Sequence, residues 1–397
     1  MENRVNRDFF GILRRTFDDD MGFVRTFSCI PVLCCLLGSS VGFAEQEMPS
    51  ESLPLESFSR IFNGASSGVE FNFSALPLSV FHVLGANERI QKATKLRDYC
   101  QKIDVKYAEY GWGKSPCDEL PWTFTRQTET GQPLIYWEYS DSNHTNIANN
   151  HSETTLILGG VHPDEITPIH LAFEFAKALS QDPALYSGVR VIVAPLVNPD
   201  GFFKKKPTRT NFNKIDLNRN FPTKDWYTAA RKAWRARKKS DPRHNPGFAP
   251  HTEEGTRFQV DLLHAFEPDK VLSVHSPLGF LDYDGPGDEK LTNLSEHEKR
   301  AREIASVVSK NSSNYRIVDY GFYPGSLGNY SGNERSIPTI TVELDSTNPK
   351  LVQKYWKEFF PGLRAAIKYE FRKSVLAELT SRENRKAKNQ EKATNTP

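Results

Sequence analysis

A chain of 397 residues is long enough for one large domain plus appendages, and a content of 38% hydrophobic and 12% aromatic side chains excludes a chain that is disordered throughout. The 51 basic and 49 acidic residues leave a formal charge of +2, which argues neither for nor against a polyanionic partner.

Residues 1–20 are polar and mixed in charge, ending Phe17-Asp-Asp-Asp20. Met21 then opens a short basic region that reaches Arg25. An apolar run from Phe27 to Leu37 and a small-residue stretch from Gly38 to Ala44 follow. The run is too short to span a bilayer, and Gly42-x-Ala44 resembles a cleavage site. Residues 21–44 therefore read as a signal peptide, and 1–20 as an over-extended start or an unusual leader. The competing reading is an N-terminal membrane anchor. Of five cysteines, Cys29, Cys34 and Cys35 fall inside this segment. Cleavage would leave Cys100 and Cys117, a lone pair across a short loop, as an oxidising compartment favours. The expectation is an exported protein, periplasmic or secreted, with one disulfide. Two free thiols in a cytosolic protein are the alternative.

Residues 45–85 are rich in Ser, Glu, Pro and Gly and read as an irregular segment. Ile90, Ala93, Leu96 and Tyr99 recur at helical spacing, which predicts a helix from Asn87, as N-cap, to Lys102. Tyr107 to Trp122 is aromatic and loop-like. Pro133 to Tyr139 reads as the first strand of the main sheet.

Thr154 to Val161 is a short buried-strand run that ends in a turn carrying His162 and Glu165. Beyond it Ile169, Leu171, Ala172, Phe175, Ala176 and Leu179 mark a helix. A histidine and a carboxylate three residues apart can face one centre, and that donor pair suits zinc. By itself the pair is weak, because His-x-x-Glu is common by chance. Three further apolar runs strengthen it. Val189–Val197 leads into Asn198-Pro-Asp-Gly201 and then Asp216 to Pro222, Val271–His275 ends on a histidine, and Pro338–Glu343 ends on a glutamate. Four strands thus deliver ligand-type residues at their carboxyl ends, where open α/β sheets bind ligands.

Residues 223–250 are an insertion-like stretch. Trp226, Ala229, Ala230, Ala233 and Trp234 form an apolar face, with Arg231, Lys232, Arg235, Arg237, Lys238 and Lys239 around it. Such a run is usually a solvated helix face; attraction of an anionic substrate is the functional alternative. No nucleic-acid motif accompanies it. Thr252 to Phe266 is a further predicted helix. The chain after Phe359 is predicted to be helical to about Leu379, and 372–397 to be a helix end and a charged, disordered tail.

In this order, HPDE, NPDG, DLNRNFP, SVHS and TITVEL resemble the zinc carboxypeptidase family, over roughly residues 130–370. HSPLGFLDYDGPG is similar to the branch that trims cell-wall peptides, the murein peptide amidases. The resemblance implies a three-layer α/β/α single domain, residues 86–371, around a central mixed, mostly parallel sheet. It implies one zinc ion per chain, held by His162, Glu165 and His275, with Glu343 as general base. Arg209 resembles the arginine that stabilises the oxyanion, at a spacing shorter than in digestive relatives. Asn218 and Arg219 match the pair that grips the substrate's terminal carboxylate. Asp216 matches the carboxylate behind His162. Tyr320, with Tyr323 competing, matches the mobile tyrosine. Leu327 falls where the family sets side-chain preference, and its apolar side chain removes the simple acidic device for Lys or Arg. The Ser276-Pro277 bond is expected to be cis.

The resulting expectation is a monomeric peptidase, without nucleic-acid partners or a membrane span in the mature chain. It would cut an amide near the carboxyl end of a short peptide, a cell-wall stem peptide beside diaminopimelate. A general secreted carboxypeptidase and a catalytically silent wall- or peptide-binding protein are the alternatives.

Overall fold

The computed structural model describes residues 78–141, 153–284 and 296–371, all within the compact unit Leu76–Pro397. The expected signal peptide, the leader, most of 45–85 and the tail lie outside the described residues. No helix among the described residues is long and apolar enough to cross a membrane.

The chain runs helix α1 (Leu78–Glu109), strands β1 (Thr123–Gln127), β2 (Pro133–Tyr139) and β3 (Thr154–Leu158), helix α2 (Ile166–Gln181) and strand β4 (Arg190–Ala194). It continues through helices α3 (Arg231–Lys238) and α4 (Glu254–Phe266), strands β5 (Lys270–His275) and β6 (Phe280–Asp284), and helix α5 (Glu296–Asn311). Strands β7 (Ile317–Val318) and β8 (Thr339–Glu343) and helix α6 (Val352–Lys368) complete it. The eight strands form one sheet in the order β1-β2-β4-β3-β5-β8-β6-β7. Its centre, β4-β3-β5-β8, is parallel, while β2 joins antiparallel at one side and β6 at the other.

Two apolar layers enclose that sheet, because successive residues of a strand face opposite sides. Ile157, Val191, Val193, Leu272 and Val342 pack with the buried faces of α1, α2, α5 and α6. Leu156, Leu158, Ile192 and Val271 face the other way, onto Phe258, Leu262 and Leu263 of α4. Strands buried on both faces can be continuously apolar, which is why β3 and β5 read as short hydrophobic runs.

Several sequence expectations need correction. Asn87 is not a cap: α1 begins at Leu78 and runs 32 residues to Glu109, through the start of the stretch expected to be loop. Tertiary packing of Tyr99, Ile103 and Tyr107 extends it beyond the local pattern. Pro133–Tyr139 is the second strand, because β1 precedes it at the edge in antiparallel pairing. Helix α4 starts at Glu254 rather than Thr252; α6 ends at Lys368, and the remainder of the helix expected to reach Leu379 lies outside the described residues beyond Phe371. The insertion forms a π-helical turn, Trp226–Ala230, that continues into α3; Trp226 and Ala230 are buried. The Ser276-Pro277 bond is cis, as expected.

Cys100 on α1 and Cys117 have Cα atoms 5.3 Å apart and sulfurs at 2.04 Å. The chain between them lays Tyr107 and Trp112 against His170 of α2, with ring centroids at 5.6 and 4.9 Å. His170 is buried, its Nδ1 has no hydrogen-bond partner among the described residues, and burial pushes its imidazole down to about 4. The folded value lies below the unfolded value near 6.5, so the protonated form is favoured by unfolding. This contribution to stability is complete above pH 6.5 and is lost as pH falls from there toward 4. The expected loss between pH 7 and pH 5 is about 2 kcal/mol. Denaturant titrations should show this loss in the wild type and a markedly smaller one in His170→Gln; identical pH dependence in both would refute it.

Candidate active site

The parallel centre of the sheet ends its strands at one edge, and the polar residues gather there. Leu158 of β3 is in register with Ala194 of β4 and Ser273 of β5, and His275 is directly beside Glu343 of β8. His162 and Glu165 lie in the turn between β3 and α2, with the Glu165 N–H donating to the His162 carbonyl at 2.9 Å. A cavity of about 880 Å³ opens over this edge.

His162, Glu165 and His275 are all buried, and each points one donor atom at the same place, all within 4.8 Å of one another. The two Nδ1 atoms are 3.1 Å apart. Glu165 Oε1 is 3.0 Å from His162 Nδ1, and its Oε2 is 3.0 Å from His275 Nδ1. The outer ring nitrogens explain why this matters. His162 Nε2 lies 3.0 Å from Asp216 Oδ1, a carboxylate that needs a proton between them, and His275 Nε2 lies 3.1 Å from Ser273 Oγ. With those nitrogens protonated, the neutral rings turn lone pairs toward each other and toward a carboxylate. Such an arrangement is repulsive unless a cation sits within it. Tetrahedral zinc with bonds of about 2.1 Å sets its donors roughly 3.4 Å apart, so this donor set and spacing fit zinc.

Behind the donors lies a carboxylate–guanidinium layer. Asp216 is fully buried and also accepts the Asn218 N–H at 3.0 Å. Burial alone would raise its carboxyl, but Arg209, His162 and Arg219 together hold it well below the ordinary range. The Arg209 side chain, 11% exposed, donates through Nε to Asp216 at 2.9 Å and through Nη1 to Glu165 at 3.0 Å. Its Nη2 makes no hydrogen bond among the described residues. Arg209 thus braces the donor set and also lines the cavity.

Glu343 is 8% exposed on the cavity wall, held by a long contact from the Leu278 N–H at 3.4 Å. Burial pushes its carboxyl up to about 7, with His275 opposing and Glu165 adding. A carboxyl poised near neutrality can both take and return a proton.

Across the cavity, Asn218 accepts the Leu327 N–H on its side-chain oxygen at 2.8 Å, which leaves its amide nitrogen to donate. Arg219 donates to the Asn218 carbonyl, has a buried Nε without a hydrogen-bond partner among the described residues, and lies 4.0 Å over the Tyr323 ring. Gly325 permits this packing: its φ is +79°, and a Cβ there would lie 2.2 Å from the Arg219 carbonyl oxygen. Tyr320 and Tyr323 both line the cavity but differ. Tyr323 is tied to Arg219, whereas Tyr320 is 62% exposed at the rim with its ring stacked on Phe280 at 5.6 Å.

Leu327 departs from its expected place. It is 4% exposed and packs in the core layer with Leu156, Phe221 and Tyr330, so it reaches the site only through its backbone. Its position in the π-helical stretch that leads into Gly328–Asn333 turns the side chain away from the cavity. Acidic groups nevertheless line the cavity: Asp282 and Asp284 on β6. Neither is among the residues expected at the site from the sequence. The available signal was the alternation in Phe280-Leu-Asp-Tyr-Asp284, which puts both carboxyls on one face. Arg237 and Lys238 of α3 also reach the cavity, so the basic insertion is more than a distant solvated face.

Comparison with known proteins agrees with this geometry. The zinc carboxypeptidase family profile matches residues 125–362. Murein peptide amidase A of Vibrio campbellii is 30% identical over 240 residues, 59% of this chain and 84% of the relative. Its counterpart in Escherichia coli K12 is 32% identical over 196 residues, 48% and 71% respectively. The solved structure of bovine thrombin-activatable fibrinolysis inhibitor, in complex with tick carboxypeptidase inhibitor, shares the fold with a TM-score of 0.50 at 15% identity. That match covers 68% of this chain and 95% of the other. With the family profile spanning well over half of the sequence and a donor set that fits zinc, this chain belongs to the zinc carboxypeptidase family of metallopeptidases.

Proposed function

We propose that this protein is a zinc-dependent amidase of cell-wall stem peptides, cutting the bond before diaminopimelate. The observation that carries the peptidase reading is the convergence of three lone-pair donors beside a buried Glu343, with Arg219 across the same cavity. The wall-peptide substrate is supported by the names of the two curated relatives and by the stretch from His275 to Gly287.

In this reading His162, Glu165 and His275 hold the metal and Asp216 fixes the His162 tautomer. Zinc, when bound, supplies Lewis acidity toward water and the scissile carbonyl. Glu343 takes a proton from the attacking water as the C–O bond forms. It then delivers that proton to the leaving nitrogen as the C–N bond breaks, so water is divided between the new carboxylate and the new amine. Arg209 offers its Nη2 to the oxyanion that develops at the carbonyl. Arg219, whose planar guanidinium suits a carboxylate, and the Asn218 amide hold the terminal carboxylate of the leaving residue. Tyr320, exposed at the rim, closes over the substrate. Every one of these groups comes from one chain, so a monomer suffices. Residues 86–371, together with the start of α1, form the catalytic domain.

Mass spectrometry of purified muropeptides before and after incubation with the zinc-loaded enzyme tests the substrate. Release of diaminopimelate, or of a dipeptide that contains it, is expected. Trimming of ordinary peptides alone would point to a general carboxypeptidase, and no turnover of either to a binding protein. In the same assay Glu343→Gln should keep its zinc and lose about 10²–10⁴-fold in kcat, the usual worth of general acid–base catalysis. Substantial activity in a zinc-loaded Gln variant would remove Glu343 from this role.

Asp216→Asn should weaken zinc binding by about 10–100-fold, because the amide no longer enforces the His162 tautomer. Competition against a chelating dye reads this directly, and an unchanged zinc affinity would contradict it.

We also read the protein as exported, through residues 21–44 as signal peptide. The supporting observation is the juxtaposition of Cys100 and Cys117. Their separation of 17 residues corresponds in the chain-entropy model to about 3 kcal/mol of stabilisation by a bridge. The double variant Cys100→Ser with Cys117→Ser should lose that amount in denaturant titration. Two free thiols in protein recovered from its native compartment would count against both the bridge and export.

A further inference from the structure

We infer that Asp282 and Asp284 form a cation site in the active-site cavity, which takes a side-chain ammonium on the leaving residue. This inference rests on the peptidase reading for the direction in which the substrate lies. Phe280, Asp282 and Asp284 alternate along β6 and project to the side of Glu343 and Thr341, to which the strand is registered. All five line the cavity. Asp282 is 8% exposed and its only hydrogen bond among the described residues is the Tyr320 N–H on Oδ1 at 2.9 Å. Asp284 accepts the Thr341 hydroxyl on Oδ2 at 2.9 Å. No cationic side chain among the described residues pairs with either carboxylate.

Leaving one buried and one half-buried carboxylate without a counter-charge is costly, and an apolar strand could have filled this space instead. Room has been made for them. A Cβ on Gly328 would lie 1.9 Å from Asp284 Oδ1, so the π-helical turn can pass the carboxylate only as glycine. On the wall of the same cavity Ser276, 1% exposed, has a hydroxyl without a partner among the described residues, a further polar group for a ligand to satisfy. Burial pushes both carboxyls up, Asp282 to about 7 with Asp319 adding, and Asp284 further through the charges of Asp282, Asp319 and Glu343, which is the condition an incoming ammonium relieves.

The position of the pair assigns it to the leaving residue. Tyr320 donates its N–H to Asp282, and Tyr323, three residues on, packs its ring on Arg219. One short segment therefore ties the acid pair to the arginine that holds the terminal carboxylate. A residue anchored there by its carboxylate and carrying an amine on a long side chain, a diamino acid, meets both. This matches a diaminopimelate leaving group, and distinguishes it from an apolar residue of equal length.

Binding to the zinc-loaded Glu343→Gln enzyme separates the site from turnover. Calorimetry compares peptides identical except for the last residue: lysine against norleucine, and diaminopimelate against 2-aminopimelate, which lacks only the distal amine. The ammonium-bearing member of each pair is expected to bind at least tenfold more tightly. Adding Asp282→Asn and Asp284→Asn should shrink that ratio to threefold or less, with zinc content and thermal melting as controls of folding. Equal affinities within each pair would overturn the site, and this comparison needs no aspartate variant, so it stands even if those variants misfold. An undiminished ratio in folded variants would overturn it equally. If the preference holds while wild-type enzyme leaves muropeptides untouched, the stem-peptide reading fails and the cation site survives.

Discussion

Lone pairs on two imidazoles and a carboxylate are held about 3 Å from one another at the end of a parallel sheet, and the surroundings are arranged to keep them there. Asp216 removes the choice of tautomer at His162, and the Ser273 hydroxyl holds the outer nitrogen of His275. Arg209 spans Asp216 and Glu165, balancing two buried carboxylates with one charge. Each partner is costly to bury alone, and the layer is tolerable only as a unit. The sheet supplies the rigidity. With β3, β4, β5 and β8 parallel and in register, their carboxyl ends present His162, Asn198, His275 and Glu343 along one edge.

Around this centre the cavity is divided by charge. Arg219, Arg237 and Lys238 give one part a cationic lining, while Glu343, Asp282 and Asp284 make another acidic. The Tyr320–Tyr323 segment connects them, one tyrosine backbone on Asp282 and one ring on Arg219. Helix α3 belongs to this division as well. Trp226 and Ala230 anchor the insertion in the core, and its basic end is brought to the cavity, where Arg237 lies 5.8 Å from the Tyr323 ring. A bipolar cavity suits a ligand that carries charges of both signs more than an apolar peptide terminus.

Much of this was legible from residue order. Buried strands announce themselves as short aliphatic runs when both faces are covered, so β3, β4, β5 and β8 and the residues at their ends could be read directly. Asp216, Asn218 and Arg219 were legible through the contiguous motif that contains them. Where the pattern was local but the packing was not, reading failed. Helix α1 extends past its periodic segment because tertiary contacts, among them the approach of Tyr107 to His170, support its last turns. Edge strand β1, with its mixed burial, carries no comparable signal.

The sequence by itself determined the fold class, the donor set and the carboxylate of Glu343 beside it, because each is written in a strand end or a tight motif. The tertiary structure alone decided the character of the cavity. Leu327 occupies the expected position along the chain, yet the π-helical stretch turns it into the core layer, and β6 brings Asp282 and Asp284 to the cavity instead. These acids lie more than forty residues from Leu327 along the chain, and only the antiparallel pairing of β6 with β8 brings them to Thr341 and Glu343. Which side chain faces a cavity depends on strand register and helix phase, and a shift of one residue in either would reverse it.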